Sequence, residues 1–439
     1  MKLRHLLLLL LLTVVSCTPQ VQDMPMTLTK AIVTWNQRVL HIAEQEDGFL
    51  TLKGLRTTAM MHLAIHDVLN HYDSRFETYK FAPGDVANRS IATIEAAVNQ
   101  AAYSVASNQY PDQQPALASL RDSLLVHIPD DDARKHGLEV GESAATLIMG
   151  TRQNDGWNTE ATYQWHPMAP GVYAAFNEHS GTPDGFIFGA GWGQAAPFAF
   201  ASDSLFTSPP PPAINSAAYT EAFNEVKSVG QQNSTTRSPD QTHLALWWKD
   251  FVENSHNRLA RQLAQDTALP PHDAARLFAL LNVSVYDAYI NAFHNKFLYN
   301  HWRPYTAIRW AANDENPNTS PDTSWNNTHK HTYAFPSYPS AHGTACAAAV
   351  QAMKTTFGEP FAFTMTTASV DIAGPFSGKI PMKPATRSFA SFDAAAKECA
   401  ASRVYLGIHF RYDSDEGYTL GARVGKRVTN QYLQPTPIN

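Results

Sequence analysis

Three short polar blocks near the C-terminus constrain the fold of this chain most, because their chemistry requires them to meet in space. They are Lys296-Phe-Leu-Tyr-Asn-His-Trp-Arg303-Pro304, Pro339-Ser340-Ala341-His342-Gly343 and Ser402-Arg403-Val-Tyr-Leu-Gly-Ile-His409-Phe-Arg-Tyr-Asp413. Within them Lys296, Arg303, Arg403, Ser340, His342, His409 and Asp413 supply three cations, a hydroxyl, two histidines and a carboxylate. Forked guanidinium donors match the oxygens of a tetrahedral oxyanion, and lysine adds a compact point charge. The set suits phosphate or its structural twin vanadate. A histidine can attack phosphorus or ligate a metal, and a second can shuttle a proton.

The spacing carries the same message. Lys296 and Arg303 are two helical turns apart, so one helix face can present both. Pro304 discourages helix at the residue before it, which puts Arg303 at a helix end. His409 and Asp413 are one turn apart, so Asp413 can hold one imidazole nitrogen and leave the other free. The turn-like Pro336-Ser337-Tyr338-Pro339 precedes Ser340, and a run of small residues follows it. This reads as a helix N-terminus, where free backbone N–H groups favour an anion.

The blocks resemble the signature shared by the vanadium-dependent haloperoxidases and the type 2 phosphatidic acid phosphatases: Lys-x6-Arg-Pro, Pro-Ser-Gly-His and Ser-Arg-x5-His-x3-Asp. One position departs, since Ala341 stands where the family has glycine; alanine keeps the backbone N–H if its φ is negative. Phe335 to His342 and Arg403 to Asp413 look closer to the chloroperoxidase branch. Thr58 to Asn70, Trp192 to Phe198 and Ala217 to Val226 also resemble bacterial members. The resemblance implies an all-α fold of helical bundles and a vanadate cofactor, with no haem. It implies that His409 binds vanadium, that Lys296, Arg303, Arg403, Ser340 and the Ala341 N–H hold the oxygens, and that His342 is the acid–base residue. Phe335 falls where the chloroperoxidases carry an aromatic beside the halide. An aromatic before proline is ordinarily a packing residue, so that role rests on the resemblance alone. Asp413 reads equally as a plain helix charge. His62 and His66 could share a metal on one helix face, but packing is the default; His301, His329 and His331 show no metal-ligand pattern. His301 and Trp302 extend the first block toward the pocket.

Two chemistries compete for these residues. One is oxidation of halide by hydrogen peroxide, with a small organic acceptor. The other is an exported acid phosphatase in which His409 forms a phosphohistidine and His342 protonates the leaving group. The chloroperoxidase-like wording favours the first. A surface-anchored scaffold with a relict site is a third class, and the intact cation set argues against it. The halide and the oligomeric state stay open.

Composition agrees with an enzyme. A chain of 439 residues can bury a large core. Its net charge of −6 leaves no basic patch for nucleic acid. Lys2 and Arg4 precede an apolar run from Leu6 to Val15, too short for an ordinary spanning helix. Val14-Val15-Ser16-Cys17 resembles a bacterial lipobox, which predicts a signal peptide over 1–16, lipidation of Cys17 and a tether over 17–26. The expected location is periplasmic or outer-membrane-anchored, with membrane contact only through the lipid. Cys346 and Cys399 could pair in an oxidising compartment, though buried free thiols are the default.

The apolar periodicity predicts helices at 27–46, 54–71, 90–107, 112–126, 131–153, 215–229, 240–265, 271–294, 342–357, 392–408 and 414–431. An N-terminal helical half, 27–213, then ends in an irregular 155–213 segment expected to pack as an ordered excursion. The site belongs to a C-terminal half, 214–439, in which 312–338 and 358–391 read as irregular.

Overall fold

The computed structural model describes residues 24–48, 52–84, 89–174, 179–183, 185–201, 203–374 and 377–437. The expected signal peptide, Cys17 and most of the expected tether lie outside the described residues. The chain is mostly helical. Helices α1 (Met26–Glu46), α2 (Leu52–Tyr72), α3 (Ile91–Gln109), α4 (Gln114–Leu124) and α5 (Asp132–Gly150) come first. After the irregular stretch come α6 (Ala217–Val229), α7 (Pro239–Trp247), α8 (Val252–Asp266), α9 (Pro271–Tyr299), α10 (Pro304–Trp310), α11 (Ala341–Phe357), α12 (Phe392–Tyr405) and α13 (Arg411–Gln431). Many starts are fixed locally. Ser90, Asp131, Ser216, Ser238, Ser340 and Ser391 each accept a backbone N–H from the first turn that follows. Among the described residues no helix is long and apolar enough to cross a membrane.

Three expectations need correction. The single helix expected over 240–265 is two, α7 and α8, with a bend at Trp248–Phe251. The 358–391 stretch holds two small antiparallel pairs, β1 (Phe363–Thr366) with β4 (Thr386–Phe389) and β2 (Ser369–Asp371) with β3 (Lys379–Pro381). Strands this short carry too little alternation to be told from loop in a sequence. Lys296 and Arg303 do not share one helix either. Asn300 turns left-handed after α9, and Arg303 is the N-cap of α10, with Pro304 in its first turn.

Helix α9 is the axis of the molecule. It is apolar nearly all round, as a central helix must be, and it packs on α1, α2, α8, α11 and α13. Three of its polar side chains serve the irregular stretch. The Asp287 carboxylate accepts the N–H groups of Phe198 at 2.7 Å and Ala199 at 2.8 Å. One turn on, Asn291 accepts from Phe206 at 2.9 Å, and one turn further Asn295 accepts from Ser208 at 2.8 Å. A ladder at i, i+4 and i+8 thus satisfies loop amides that burial would otherwise orphan.

Helix α13 lies against α11 along Gly417, Gly421 and Gly425. A Cβ at these positions would stand 2.5 Å from the Ser340 carbonyl oxygen, 2.0 Å from that of Thr344 and 2.7 Å from that of Ala348. The missing side chains let the two backbones approach, which sets α11 and its N-terminus against the start of α13. Gly421→Ala separates two effects. Helix propensity favours alanine by about 1 kcal/mol, whereas overpacking costs about 1–3 kcal/mol. We expect net destabilisation in urea unfolding, and a stabilised variant would contradict this packing.

A candidate oxyanion site at the meeting of three helix ends

The fold brings all three blocks together. Lys296 sits in the last turn of α9 with its side chain fully buried. Its Nζ donates to the carbonyls of Pro336 at 2.9 Å and Ser337 at 2.7 Å, which leaves one donor. Arg303 is equally buried. Its Nε donates to the Phe335 carbonyl at 2.9 Å and its Nη1 to the Ile408 carbonyl at 3.0 Å, while Nη2 has no partner. Arg403, on α12, donates through Nη1 to the Trp248 carbonyl at 3.2 Å, and its Nε is unpartnered. Burial holds the Lys296 amine well below the usual lysine range and brings Arg303 down to about 10. Cations so desolvated call for an anion.

His409 precedes α13 and is tied to it. Its Nδ1 lies 3.0 Å from Asp413 Oδ2 and 3.3 Å from Ser337 Oγ, and its Nε2 lies 3.2 Å from Arg303 Nη1. Burial, then Arg303 and Lys296, push its pKa well down, so the ring is neutral. Asp413 Oδ2 also accepts from the Phe410 N–H at 3.0 Å and from the Ser337 hydroxyl. An acceptor on that side places the ring proton on Nδ1 and the lone pair on Nε2. Burial raises Asp413 to about 6. Among the described site residues it is the one carboxylate against three cations.

The second block supplies a helix N-terminus. Ser340 caps α11, its Oγ accepting from the Gly343 N–H at 3.3 Å, and its own N–H donates to the Asp413 carbonyl at 2.9 Å. Ala341 has helical backbone, so the left-handed conformation that would demand glycine is not used here. At the first helical position its N–H lacks an intrahelical acceptor. His342 follows, with Nε2 unpartnered; burial, then Arg403 and His256, hold its pKa well below the ordinary value. The Trp248 carbonyl at the α7–α8 bend accepts from both His342 and Arg403.

Ala341, His342, Arg403 and His409 border a small cavity, with about 30 Å³ open to the centre of a water molecule. Phe335 forms one wall, its ring 5.2 Å from Lys296 Nζ and 4.8 Å from Arg303 Cζ. Phe251, Phe293, Tyr289 and Tyr333 complete the apolar side. None of these four was singled out from sequence, nor were Ser337 and the carbonyls that clamp the cations. Ser337 lay inside a quoted motif, but nothing local marked its role. His301 and Trp302 turn away from the cavity: His301 Nε2 meets the Tyr412 hydroxyl at 2.7 Å, and Trp302 packs in a separate core with Tyr219 and Trp325. His62 stacks on Phe278 and bonds Asn36, whereas His66 bonds Asp67 and Asn70, so the two do not pair.

The two cysteines depart from the default. Cys346 and Cys399 form a disulfide joining α11 to α12. Cys346 lies one turn after His342 and Cys399 one turn before Arg403, and both sulfurs lie within 4.8 Å of a His342 ring nitrogen.

A tetrahedral oxyanion fits this donor set. Arg303 Nη2, Arg403 Nε and His342 Nε2 are buried polar atoms lacking partners, and the Ala341 N–H at the start of α11 lacks an intrahelical acceptor, on a site with excess positive charge. The family model for the VCPO second helical-bundle domain matches residues 276–436. The vanadium chloroperoxidase of Curvularia inaequalis is 28% identical over 273 residues, covering 49% of this chain and 44% of that protein. The matched region thus spans under half the length of that relative. A bacterial vanadium-dependent iodoperoxidase superposes with a TM-score of 0.74 at 20% identity, covering 95% of this chain and 100% of the other. A holo-type bacterial vanadium-dependent chloroperoxidase gives 0.66 at 17% identity, over 87% and 92%. Residues 276–436 are thus similar to the second helical-bundle domain of the vanadium chloroperoxidases, and the chain shares its fold with bacterial vanadium-dependent haloperoxidases.

Proposed function

We propose that the chain is a vanadate-dependent haloperoxidase that oxidises halide with hydrogen peroxide to hypohalous acid, for use on a small organic acceptor. The unpartnered buried donors of Arg403 and His342 on the cavity that His409 also lines, with Arg303 Nη1 3.2 Å from His409 Nε2, carry this reading. His409 Nε2 would hold the metal, with Lys296, Arg303, Arg403, Ser340 and the Ala341 N–H around the oxygens. Vanadate, when bound, supplies a Lewis acid that polarises peroxide without changing oxidation state. The chain does the rest. Asp413 keeps the His409 proton on Nδ1. His342, neutral because it is buried, takes a proton from the incoming peroxide at Nε2. Phe335 and its aromatic neighbours keep water from the cations and leave an apolar side for a weakly hydrated halide. The same residues would serve a phosphohistidine phosphatase, and the relatives do not favour that alternative.

A melting experiment with paired assays tests the proposal. Vanadate at a hundred times its Kd should stabilise the protein by about 2.7 kcal/mol, and phosphate should compete. Vanadate with peroxide and bromide should bleach a phenolic dye, and a phosphomonoester should be turned over poorly. No thermal shift together with no halide oxidation would sink this reading.

Export and lipid anchoring at Cys17 belong to the same proposal. The n-region, apolar run and lipobox support it, and the Cys346–Cys399 bond suits an oxidising compartment. Cys17→Ser should abolish labelling by a fatty-acid probe. Wild-type protein recovered in the cytosol with an uncut N-terminus would refute it.

A further inference from the structure

A cleft of about 600 Å³ opens between α1, α8 and the β2–β3 pair, apart from the cavity described above. We propose that it is a binding site for a small organic anion carrying a carboxylate or phosphate group. The inference goes beyond the proposed reaction and does not depend on it.

The charges on its walls do not balance. Arg258 is paired with Asp250 at 2.6 Å, and Lys379 with Glu44 at 3.5 Å. Arg38 and Arg261 remain. Arg38 Nη2 reaches Gln113 Oε1 at 3.4 Å, and Arg261 Nη1 donates to Asn36 Oδ1 at 2.6 Å. Both partners are neutral, and among the described residues neither arginine has a carboxylate within ion-pairing distance. The charge felt most by Arg261 is another cation, Arg258; burial first, then that cation, bring its pKa down to about 10.

Arg261 is also held in place. Asn36 donates onward to Asn257 at 2.8 Å, and Asn257 to Asn282 at 2.9 Å, in a fully buried amide chain. A guanidinium fixed from behind, with most of its five donors unspent, is preorganised for a forked oxyanion. The volume lies in the range of small-molecule sites, and Leu40 and Leu120 add apolar wall, so an inorganic ion alone would leave the cleft mostly unfilled. Helix α8 separates the two places. Phe251, its N-cap, borders the oxyanion cavity, while Asn254, Arg258 and Arg261, on one helical face, border the cleft.

Calorimetric titration of the whole protein with benzoate, phenyl phosphate and uncharged benzamide tests this. Benzoate should saturate one site and benzamide none. Arg38→Gln and Arg261→Gln should each weaken benzoate at least tenfold. Loss of phenyl phosphate binding in the same variants places phosphates in the cleft too; its retention assigns them to the oxyanion cavity and leaves carboxylates as the class. Arg38 is only half-buried, so Arg38→Gln carries the test should Arg261→Gln fail to fold. Absence of saturable benzoate binding at millimolar concentration, equal binding of benzamide, or unchanged benzoate affinity in a folded Arg38→Gln protein overturns the proposal.

Discussion

Replacing His409 with alanine is expected to abolish tight vanadate binding, whereas His342→Ala should keep binding and lose turnover. The two histidines lie in the same cavity, but the chain prepares them differently. His409 has one nitrogen fixed by Asp413 at 3.0 Å, which leaves Nε2 as a lone-pair donor among the cations. Its removal would delete the ligand proposed for the metal, so the thermal shift with vanadate should vanish. His342 has an unpartnered Nε2 and no carboxylate to fix it, which suits a proton carrier. Its loss should cut kcat by about 10²–10⁴-fold, the usual contribution of a positioned acid–base group. Melting curves with and without vanadate, beside bromide oxidation rates, separate the outcomes. Equal loss of the thermal shift in both variants would contradict these roles.

Opening the Cys346–Cys399 bond should have the largest effect on stability. The bond spans 53 residues, and constraining a loop of that length in the unfolded chain is worth about 4 kcal/mol on the chain-entropy account. It is also well placed to affect the site, since it clasps α11 to α12 one turn from His342 and one turn from Arg403. Cys346→Ala with Cys399→Ala, and the wild-type protein in reductant, should melt earlier by the same amount and bind vanadate more weakly. Melting that is indifferent to reductant, with two free thiols titrated in the denatured protein, would show that the bond does not form.

Much of the site was legible because side-chain chemistry and local spacing are written in the sequence. Three cations, two histidines and a carboxylate at fixed intervals admit few uses, and Ser340 announced a helix N-terminus that α11 provides. Helix α9 and most of the other long helices were legible from their apolar periodicity. Other features needed the tertiary structure. The carbonyls of Trp248, Phe335, Pro336, Ser337 and Ile408 orient the cations and His342, yet every residue has a carbonyl, so no local pattern marks the ones that converge. The bend between α7 and α8 puts the Trp248 carbonyl and the Phe251 ring at the site, and the sequence there reads as uninterrupted helix. The same limit governs the glycine seam of α13, whose spacing means little until α11 lies against it. Whether Cys346 and Cys399 pair stayed open in the sequence, with separate buried thiols as the default, because pairing depends on which helices neighbour one another. The sequence by itself determined which groups could act on an oxyanion; only the packing of helices distant in the chain decided how those groups are held, since long-range backbone contacts leave no periodic trace in the residues that make them.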